Sequence, residues 1–190
     1  MSYGIVVVGG SAGGARSLAA LLSGLPRAFP VPVVAVLHRG PGSADTLTDY
    51  LQRSSVLSVQ EARDKEPLAP GGVYLAPPDY HLLVEKDHLA LSTEGLVNWA
   101  RPSIDVLFES AADTWAERTI GVILTGANAD GAQGLARIQR RGGLAVVQDP
   151  SEAQYRAMPD AAIAAASVDR ILPLAGIARF LPGLCRVGTE

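Results

Sequence analysis

Three side chains in this sequence are of the types that together carry out acyl transfer: Ser11, His38 and Asp130. Each follows a short apolar run and lies in or beside a glycine-containing turn. A serine hydroxyl becomes a good nucleophile when a base removes its proton, and a neutral histidine does this near pH 7. A carboxylate behind the histidine fixes its tautomer and stabilises the imidazolium that forms. The three residue types therefore predict a serine hydrolase, provided that the fold brings them together.

The serine turn, Gly9-Gly10-Ser11-Ala12-Gly13, fits the pattern G-x-S-x-G, in which a nucleophilic serine lies between a strand and a helix. The apolar run Ile5 to Val8 before it is typical of a buried parallel strand, and Ala15 to Leu22 after it favours a helix. A dinucleotide-binding loop, G-x-G-x-x-G, is a second interpretation, but it requires a glycine at the position of Ser11. A glycine-rich turn without chemistry is the third.

The other two members of the proposed triad also have structural alternatives. His38 can simply cap a strand end, and Asp130, which precedes a helix, can be an ordinary N-cap. His81 and His88 are competing bases, but both fall in a predicted hairpin and not after a buried strand. Arg16, one turn into the first helix, either positions a substrate or lies on a solvated face. We therefore rank His38 above the other histidines.

The elements that must position these residues alternate along the chain. Strands are predicted at 5–8, 31–37, 56–62, 73–76, 120–124 and 144–147, with a short run at 171–172. Helices are predicted at 15–22, 44–53, 104–115 (after the N-cap Ser103), 132–140, 161–166 and 177–181. Runs at 81–84 and 88–91 predict an antiparallel hairpin at the sheet edge. The predicted fold is α/β: a doubly wound, mainly parallel sheet whose strand ends share one edge.

Composition limits both fold and function. The 190 residues are enough for one α/β domain with a sizeable core, so residues 1–190 are predicted to form a single domain. Hydrophobic residues make up 48% of the chain, which excludes disorder, and the net charge of −3 gives no basis for general nucleic-acid binding. The single cysteine, Cys185, excludes an internal disulfide and a cysteine-rich zinc site. Without a signal peptide or membrane span, a soluble cytoplasmic protein is expected.

Nearly the whole chain resembles the catalytic domain of the CheB family, the chemotaxis protein-glutamate methylesterases. The turn GGSAGG is similar to the family's G-[AG]-S-[TA]-G-G motif, and VLH at the end of the second strand is similar to its histidine motif. Four further blocks resemble the family in the same order: VYLAPPDYHLL, RPSIDVLFESAA, LTGANADGAQGL and QDPSEAQYRAMPDAAI. The resemblance implies Ser11 as nucleophile, His38 as base and Asp130 as the triad acid.

The resemblance also implies a substrate: glutamate γ-methyl esters on the cytoplasmic helices of methylated chemoreceptors, with deamidation of receptor glutamines in many members. Backbone N–H groups near Ala12 or Ala127 are expected to hold the oxyanion. Arg101 either lines the substrate approach or braces the loop before a helix. No metal or organic cofactor is needed, and neither nucleic-acid binding nor membrane insertion is expected. Two alternatives stay open: the same triad acting on another protein or small-molecule ester, and a non-catalytic receptor-binding module.

Three departures from the family pattern bear on substrate fit and regulation. Ala12 stands where many members have threonine. Ala127-Asn128 replaces the usual Met-Gly, although asparagine can adopt the left-handed geometry of a glycine turn. The first strand is predicted only a few residues after Met1, so no receiver domain is expected in the same chain. The enzyme is then expected to be constitutively open or controlled by a separate receiver protein.

Overall fold

The computed structural model of the protein describes residues 3–38 and 46–185. The strands are β1 (Ile5–Gly10), β2 (Val33–Leu37), β3 (Ser58–Glu61), β4 (Gly72–Leu75), β5 (His81–Val84), β6 (Leu89–Ser92), β7 (Thr119–Ile123), β8 (Leu144–Gln148) and β9 (Arg170–Leu172). The α-helices are α1 (Gly14–Ser23), α2 (Thr46–Ser54), α3 (Ile104–Trp115), α4 (Ala132–Arg140), α5 (Ala157–Ala165) and α6 (Leu174–Leu184), with a short 3₁₀ turn at Ala116–Arg118. Among the helices that the structure describes, none combines the length and apolar character needed to cross a lipid bilayer.

A parallel sheet with the order β3-β4-β2-β1-β7-β8-β9 forms the centre of the protein. β1 pairs with β2 on one side and with β7 on the other. The chain therefore builds the sheet from β1 towards the β3 edge first, and later adds β7, β8 and β9 on the opposite side of β1. The strand order therefore reverses between β1 and β7. Open α/β sheets bind ligands outside the carboxyl ends of the strands at such a reversal. The predicted doubly wound α/β class is confirmed.

Helices cover both faces of the sheet because the central strands send apolar side chains to both sides. Val6 and Val8 of β1 belong to the core formed with α1 and α6, whereas Ile5 and Val7 belong to the core formed with α3, α4 and α5. All four side chains are fully buried. This burial on both faces explains why β1 is a continuous apolar run in the sequence.

The predicted hairpin forms, but it does not extend the main sheet. β5 and β6 pair antiparallel as a separate two-stranded sheet. β5 lies along α3, where the Val84 N–H donates to the Ser110 hydroxyl and the Thr114 hydroxyl donates to the Val84 carbonyl, both at 3.0 Å. Ser110 and Thr114 of α3 therefore bond the backbone N–H and carbonyl of Val84, which would otherwise be free to pair with a neighbouring strand.

Several helix boundaries differ from the prediction. α5 begins at Ala157, four residues earlier than predicted, so Pro159 lies inside its first turn, where a missing N–H breaks no intrahelical bond. α6 spans Leu174–Leu184, longer than the predicted 177–181. Residues 44 and 45, predicted as the start of the second helix, lie outside the described residues.

Close contact between α3 and β1 brings the start of that helix to the edge of the sheet. A Cβ atom at Gly9 would overlap the Ile104 Cγ2, so a larger residue there would push α3 away. The amino end of α3 therefore lies beside the carboxyl end of β1.

Candidate active site

Ser11 and His38 follow neighbouring strands at the same edge of the sheet. The β1–β2 register pairs Gly10 with Leu37. Ser11 and His38 are the next residues on these two strands, and the His38 N–H donates to the Gly10 carbonyl at 3.2 Å. Neighbouring strands lie about 4.8 Å apart, so the two side chains start from adjacent backbone positions.

The turn that holds Ser11 is also bonded to the chain after β7. The Ser11 N–H donates to the Thr125 carbonyl at 3.0 Å, and the Thr125 hydroxyl donates to the Ala12 carbonyl at 3.1 Å. Gly13 has a φ of 77°, a left-handed conformation that glycine adopts without strain, and α1 begins at the next residue. Ser11 therefore lies in a tight turn between the end of β1 and the amino end of α1.

Asp130 reaches His38 from the loop after β7, across 92 positions of sequence. Its Oδ2 lies 2.7 Å from the His38 Nε2. The carboxylate also accepts hydrogen bonds from the Asn98 amide at 2.8 Å, the Ser103 hydroxyl at 2.8 Å and the Ile104 N–H at 2.7 Å. Asp130 is buried, so these donors replace the water that an exposed carboxylate would bind.

The charge of Asp130 follows from a balance between burial and hydrogen bonding. Burial acts to raise the pKa of Asp130, because the ionised form loses its hydration. Hydrogen bonds from His38, Asn98, the Ile104 N–H and Ser103 together outweigh burial and lower the pKa below its ordinary value. An ionised carboxylate only accepts, so the His38 Nε2 carries the proton that joins them. The neutral imidazole then has its lone pair on Nδ1.

Asn128 contacts the second ring nitrogen of His38. Its Nδ2 lies 3.2 Å from the His38 Nδ1, and its Oδ1 accepts the Asp130 N–H at 3.1 Å. Because the backbone N–H requires an acceptor, the amide oxygen is assigned to Asp130 and the NH₂ group to the ring. Asn128 therefore donates to the lone pair that a base would use. Its φ is not positive, so the turn forms without the left-handed geometry that asparagine permits.

The Ser11 hydroxyl is the remaining group of the proposed triad. Within residues 3–38 and 46–185, no hydrogen bond joins it to His38. The structure thus brings His38 and Asp130 into contact and places Ser11 at the backbone position adjacent to His38. In free enzymes such hydrogen bonds are often long and tighten only when substrate is bound.

The turns after β1 and β7 contain two backbone N–H groups that are candidate oxyanion donors, those of Ala12 and Ala127. In the part of the chain that the structure describes, neither the Ala12 N–H nor the Ala127 N–H has a hydrogen-bond acceptor, whereas the Ser11 N–H is bonded to Thr125. Ala12 also precedes the amino end of α1, where free N–H groups favour negative charge. The two residues predicted near the oxyanion therefore have donors available for one.

Arg101, predicted either to line the substrate approach or to brace a loop, is bonded within the protein. Its guanidinium donates to the Asp79 carboxylate at 2.8 Å and to two carbonyls of the loop before α3 at 2.9 and 3.1 Å. Its side chain also lines a pocket together with His38. Arg16, by contrast, is exposed on α1. The hydrogen bonds of Arg101 hold the loop in place beside the pocket.

The other two histidines bond elsewhere. His81 is buried; its Nε2 lies 2.9 Å from the Gly95 carbonyl, and its Nδ1 accepts the Ser103 N–H at 3.2 Å. His88 lies on the hairpin and is bonded to the neighbouring aspartate. His38 is therefore the histidine that the structure joins to Asp130.

The sequence patterns do not indicate the contacts that two residues, Ser103 and Asn98, make in the site. The sequence predicts Ser103 as the N-cap of α3, but its hydroxyl donates to Asp130, and Asp130 accepts the Ile104 and Asp105 N–H groups in its place. Asn98 carries no pattern at all, yet its Nδ2 bridges Asp130 at 2.8 Å and Asp105 at 2.7 Å. Both contacts join distant loops, so no local spacing could have revealed them.

The chain matches one protein family in sequence and in structure over most of its length. The family described as CheB methylesterase matches residues 6–181. A Leptospira interrogans protein, provisionally named a protein-glutamate methylesterase/protein-glutamine glutaminase, is 49% identical over 181 residues, which cover 95% of this chain and 94% of that protein. Protein-glutamate methylesterase/protein-glutamine glutaminase 2 of Anaeromyxobacter dehalogenans is 42% identical over 182 residues, which cover 96% of this chain and 53% of that protein. The crystal structure of the Thermotoga maritima CheB methylesterase catalytic domain superposes with a TM-score of 0.92 at 36% identity, covering 97% of this chain and 100% of that one.

Proposed function

Because the chain belongs to the CheB methylesterase family, we propose that it hydrolyses glutamate γ-methyl esters on the cytoplasmic helices of chemoreceptors. The products are methanol and the free glutamate. The observation that carries the proposal is the 2.7 Å contact between His38 and Asp130, located beside the turn that contains Ser11. The relatives' names also include a glutaminase activity. Deamidation of receptor glutamines, with ammonia as the leaving group of the same acyl transfer, is therefore the second activity that we propose.

Ser11 is the proposed nucleophile and His38 the proposed base. Since Nε2–H donates to Asp130, the ring takes up the serine proton at Nδ1. The Ser11 oxygen forms a bond to the ester carbonyl carbon, and the carbonyl π electrons move onto the oxygen. Asp130 stabilises the imidazolium. His38 then gives its proton to the departing methoxide as the intermediate collapses to the acyl-enzyme.

The second half of the reaction repeats these roles with water. His38 removes a proton from water, which attacks the acyl-enzyme, and returns the proton to Ser11 as the glutamate leaves. In both halves the Ala12 and Ala127 N–H groups are the proposed donors to the oxyanion. A donor of this kind is worth roughly 10²–10³-fold in rate.

Asn128 has to leave the His38 Nδ1 before the Ser11 hydroxyl can bond there. The resting contact, at 3.2 Å, is a neutral hydrogen bond. Such bonds contribute about 0.5–1.5 kcal/mol net, so the exchange of partners is a small part of the barrier. The reactive arrangement is therefore expected to form when substrate enters.

Methanol release from methyl-labelled chemoreceptor membranes tests the proposal. The wild type is expected to release methanol, and Ser11→Ala is expected to lose more than about 10³-fold in rate. Ser23→Ala is the matched control, since its hydroxyl donates to the Ala20 carbonyl on the exposed side of α1. This control is expected to keep the wild-type rate.

The alternatives give different results in the same assay. Release that survives Ser11→Ala would remove Ser11 from the mechanism. A folded wild type that spares the receptor but hydrolyses a small glutamyl methyl ester would identify another ester as the substrate, and the exposed Ala127-Asn128 pair at the rim makes that the second candidate. Inactivity on both substrates would favour a non-catalytic receptor-binding module.

A further inference from the structure

A tight turn beside the site holds a tryptophan in an unusual backbone conformation. Val97 and Ala100 exchange two backbone hydrogen bonds at 3.1 and 3.0 Å. The two residues between them, Asn98 and Trp99, have φ values of 52° and 62°. Positive φ at both central positions favours asparagine and glycine, and a bulky residue there costs on the order of 1–3 kcal/mol. The side chain of Trp99 is 94% exposed, so burial does not offset this cost in the free protein.

The turn is attached to the proposed catalytic carboxylate. The Asn98 Nδ2 donates to Asp130 at 2.8 Å and to Asp105 at 2.7 Å. Both carboxylates are buried at the start of α3 and α4. The backbone of Trp99 is therefore fixed relative to the partner of His38, although its indole ring lies in solvent.

Trp99 also lines two depressions of the surface. A pocket of about 490 Å³ is lined by Trp99 together with His38, Leu96 and Asn128. A second pocket of about 670 Å³, on the side of α4 and α5, is lined by Trp99 and Asn128 as well. Leu96 is 60% exposed on the same loop, which extends the apolar surface around the indole. Strained, exposed residues of this kind cluster at binding sites.

We propose that the Trp99 surface, made of Leu96, Val97 and Trp99, docks the amphipathic receptor helix that carries the esterified glutamate. This proposal rests on the proposed function. A glutamyl side chain is short, so an ester that reaches Ser11 brings its own helix over the residues surrounding the His38 pocket. An amphipathic helix has apolar side chains within about one turn of the esterified glutamate, and we expect these side chains to pack on the Trp99 indole. The exposed tryptophan then gains burial only when the substrate is bound.

Kinetics on two substrates test the surface. For Trp99→Ala, the ratio of kcat/KM on methylated receptor membranes to kcat/KM on a blocked glutamate γ-methyl ester is expected to fall at least about tenfold, as for a buried aromatic at an interface. Trp99→Phe is expected to restore part of the ratio. Ile171→Ala removes an apolar side chain that is 47% exposed on β9 and serves as the matched control, with the wild-type ratio expected. A Trp99→Ala ratio equal to that of the wild type would overturn the proposal.

A binding measurement separates this proposal from the proposed function. The sequence has two tryptophans, so Trp115→Phe leaves Trp99 as the single indole reporter. Combined with Ser11→Ala, this variant is expected to show a blue shift of its emission on addition of receptor membranes, and no shift with membranes lacking receptor. Absence of the shift would overturn the docking surface. Absence of methanol release by the wild type, with the shift present, would instead overturn only the hydrolytic function.

Discussion

Asp130 and Asp105 cap the amino ends of each other's helices. Asp130, which precedes α4, accepts the Ile104 N–H of α3 at 2.7 Å. Asp105, in the first turn of α3, accepts the Gly134 N–H of α4 at 2.7 Å. Asn98 donates to both carboxylates. The carboxylate that we propose for catalysis thus also joins two helices, and its replacement is expected to change stability as well as rate.

Asp130→Asn is expected to lower kcat by about 10⁴-fold, as replacing a triad carboxylate by an amide does elsewhere. It is also expected to lower the free energy of unfolding by about 1–3 kcal/mol. The reason is that one carboxylate oxygen, which accepts hydrogen bonds in the wild type, is replaced by an NH₂ group that cannot accept them. Methanol release and urea unfolding measure the two effects. Asp113→Asn, which breaks exposed ion pairs with Arg137 and Arg141, is the control and is expected to cost less than about 1 kcal/mol. Equal stability of Asp130→Asn and wild type would contradict the helix-joining role.

The stability difference between wild type and Asp130→Asn is expected to depend on pH. The pKa of Asp130 is lowered in the folded state, since its hydrogen bonds outweigh the opposing effect of burial. Such a group contributes stability that is complete above the unfolded pKa of about 3.9 and is lost as the pH falls through the lower folded pKa. Urea unfolding between about pH 7 and pH 3 should therefore show a constant difference that shrinks below about pH 4. A difference that grows on acidification would contradict the direction of the shift.

Asn128→Gly is expected to raise kcat/KM on a small ester about two- to tenfold, the equivalent of one neutral hydrogen bond. The physical reason is that the His38 lone pair no longer has to exchange its amide donor for Ser11. Asn128→Asp is the matched variant: a carboxylate beside Nδ1 favours a ring protonated on both nitrogens, so the rate at neutral pH is expected to fall. If Asn128→Gly instead loses activity without a change in Tm, the amide assists the reaction.

Arg101→Met is expected to lower the free energy of unfolding by about 1–2 kcal/mol, because charge-assisted bonds to Asp79 and to two carbonyls are lost. Asp79→Asn is expected to cost less than about 1 kcal/mol, since its side chain is largely exposed. Thermal unfolding of both variants measures the difference. An unchanged Tm for Arg101→Met together with a raised KM would favour substrate binding over bracing of the loop.

Cys185 is expected to be unreactive in the folded protein. Burial at the end of α6 raises the pKa of its thiol to about 11, so the thiolate is scarce at pH 8. Ellman's reagent should react slowly with the native protein and rapidly after denaturation. Rapid reaction under native conditions would show that the end of α6 opens readily.

The sequence by itself determined the class of the fold and the residues at the ends of its strands. The apolar run of β1 is visible in the sequence because the sheet is covered on both faces. Ser11, His38 and Asp130 stand out because each directly follows or closely trails such a run, and parallel strands end at one edge. These signals are local, and a short stretch of chain is enough to encode them.

Only the tertiary structure decided how the side chains at that edge are bonded. The backbone N–H groups at the start of α3 are capped by the Asp130 carboxylate and not by the preceding Ser103 side chain. The hairpin is separate from the main sheet, and its first strand, β5, is hydrogen-bonded to α3. Asn98 and Asn128 contact partners 32 and 90 positions away, respectively. A short window of sequence encodes backbone preference and burial, whereas contacts between loops depend on which strands the sheet places side by side.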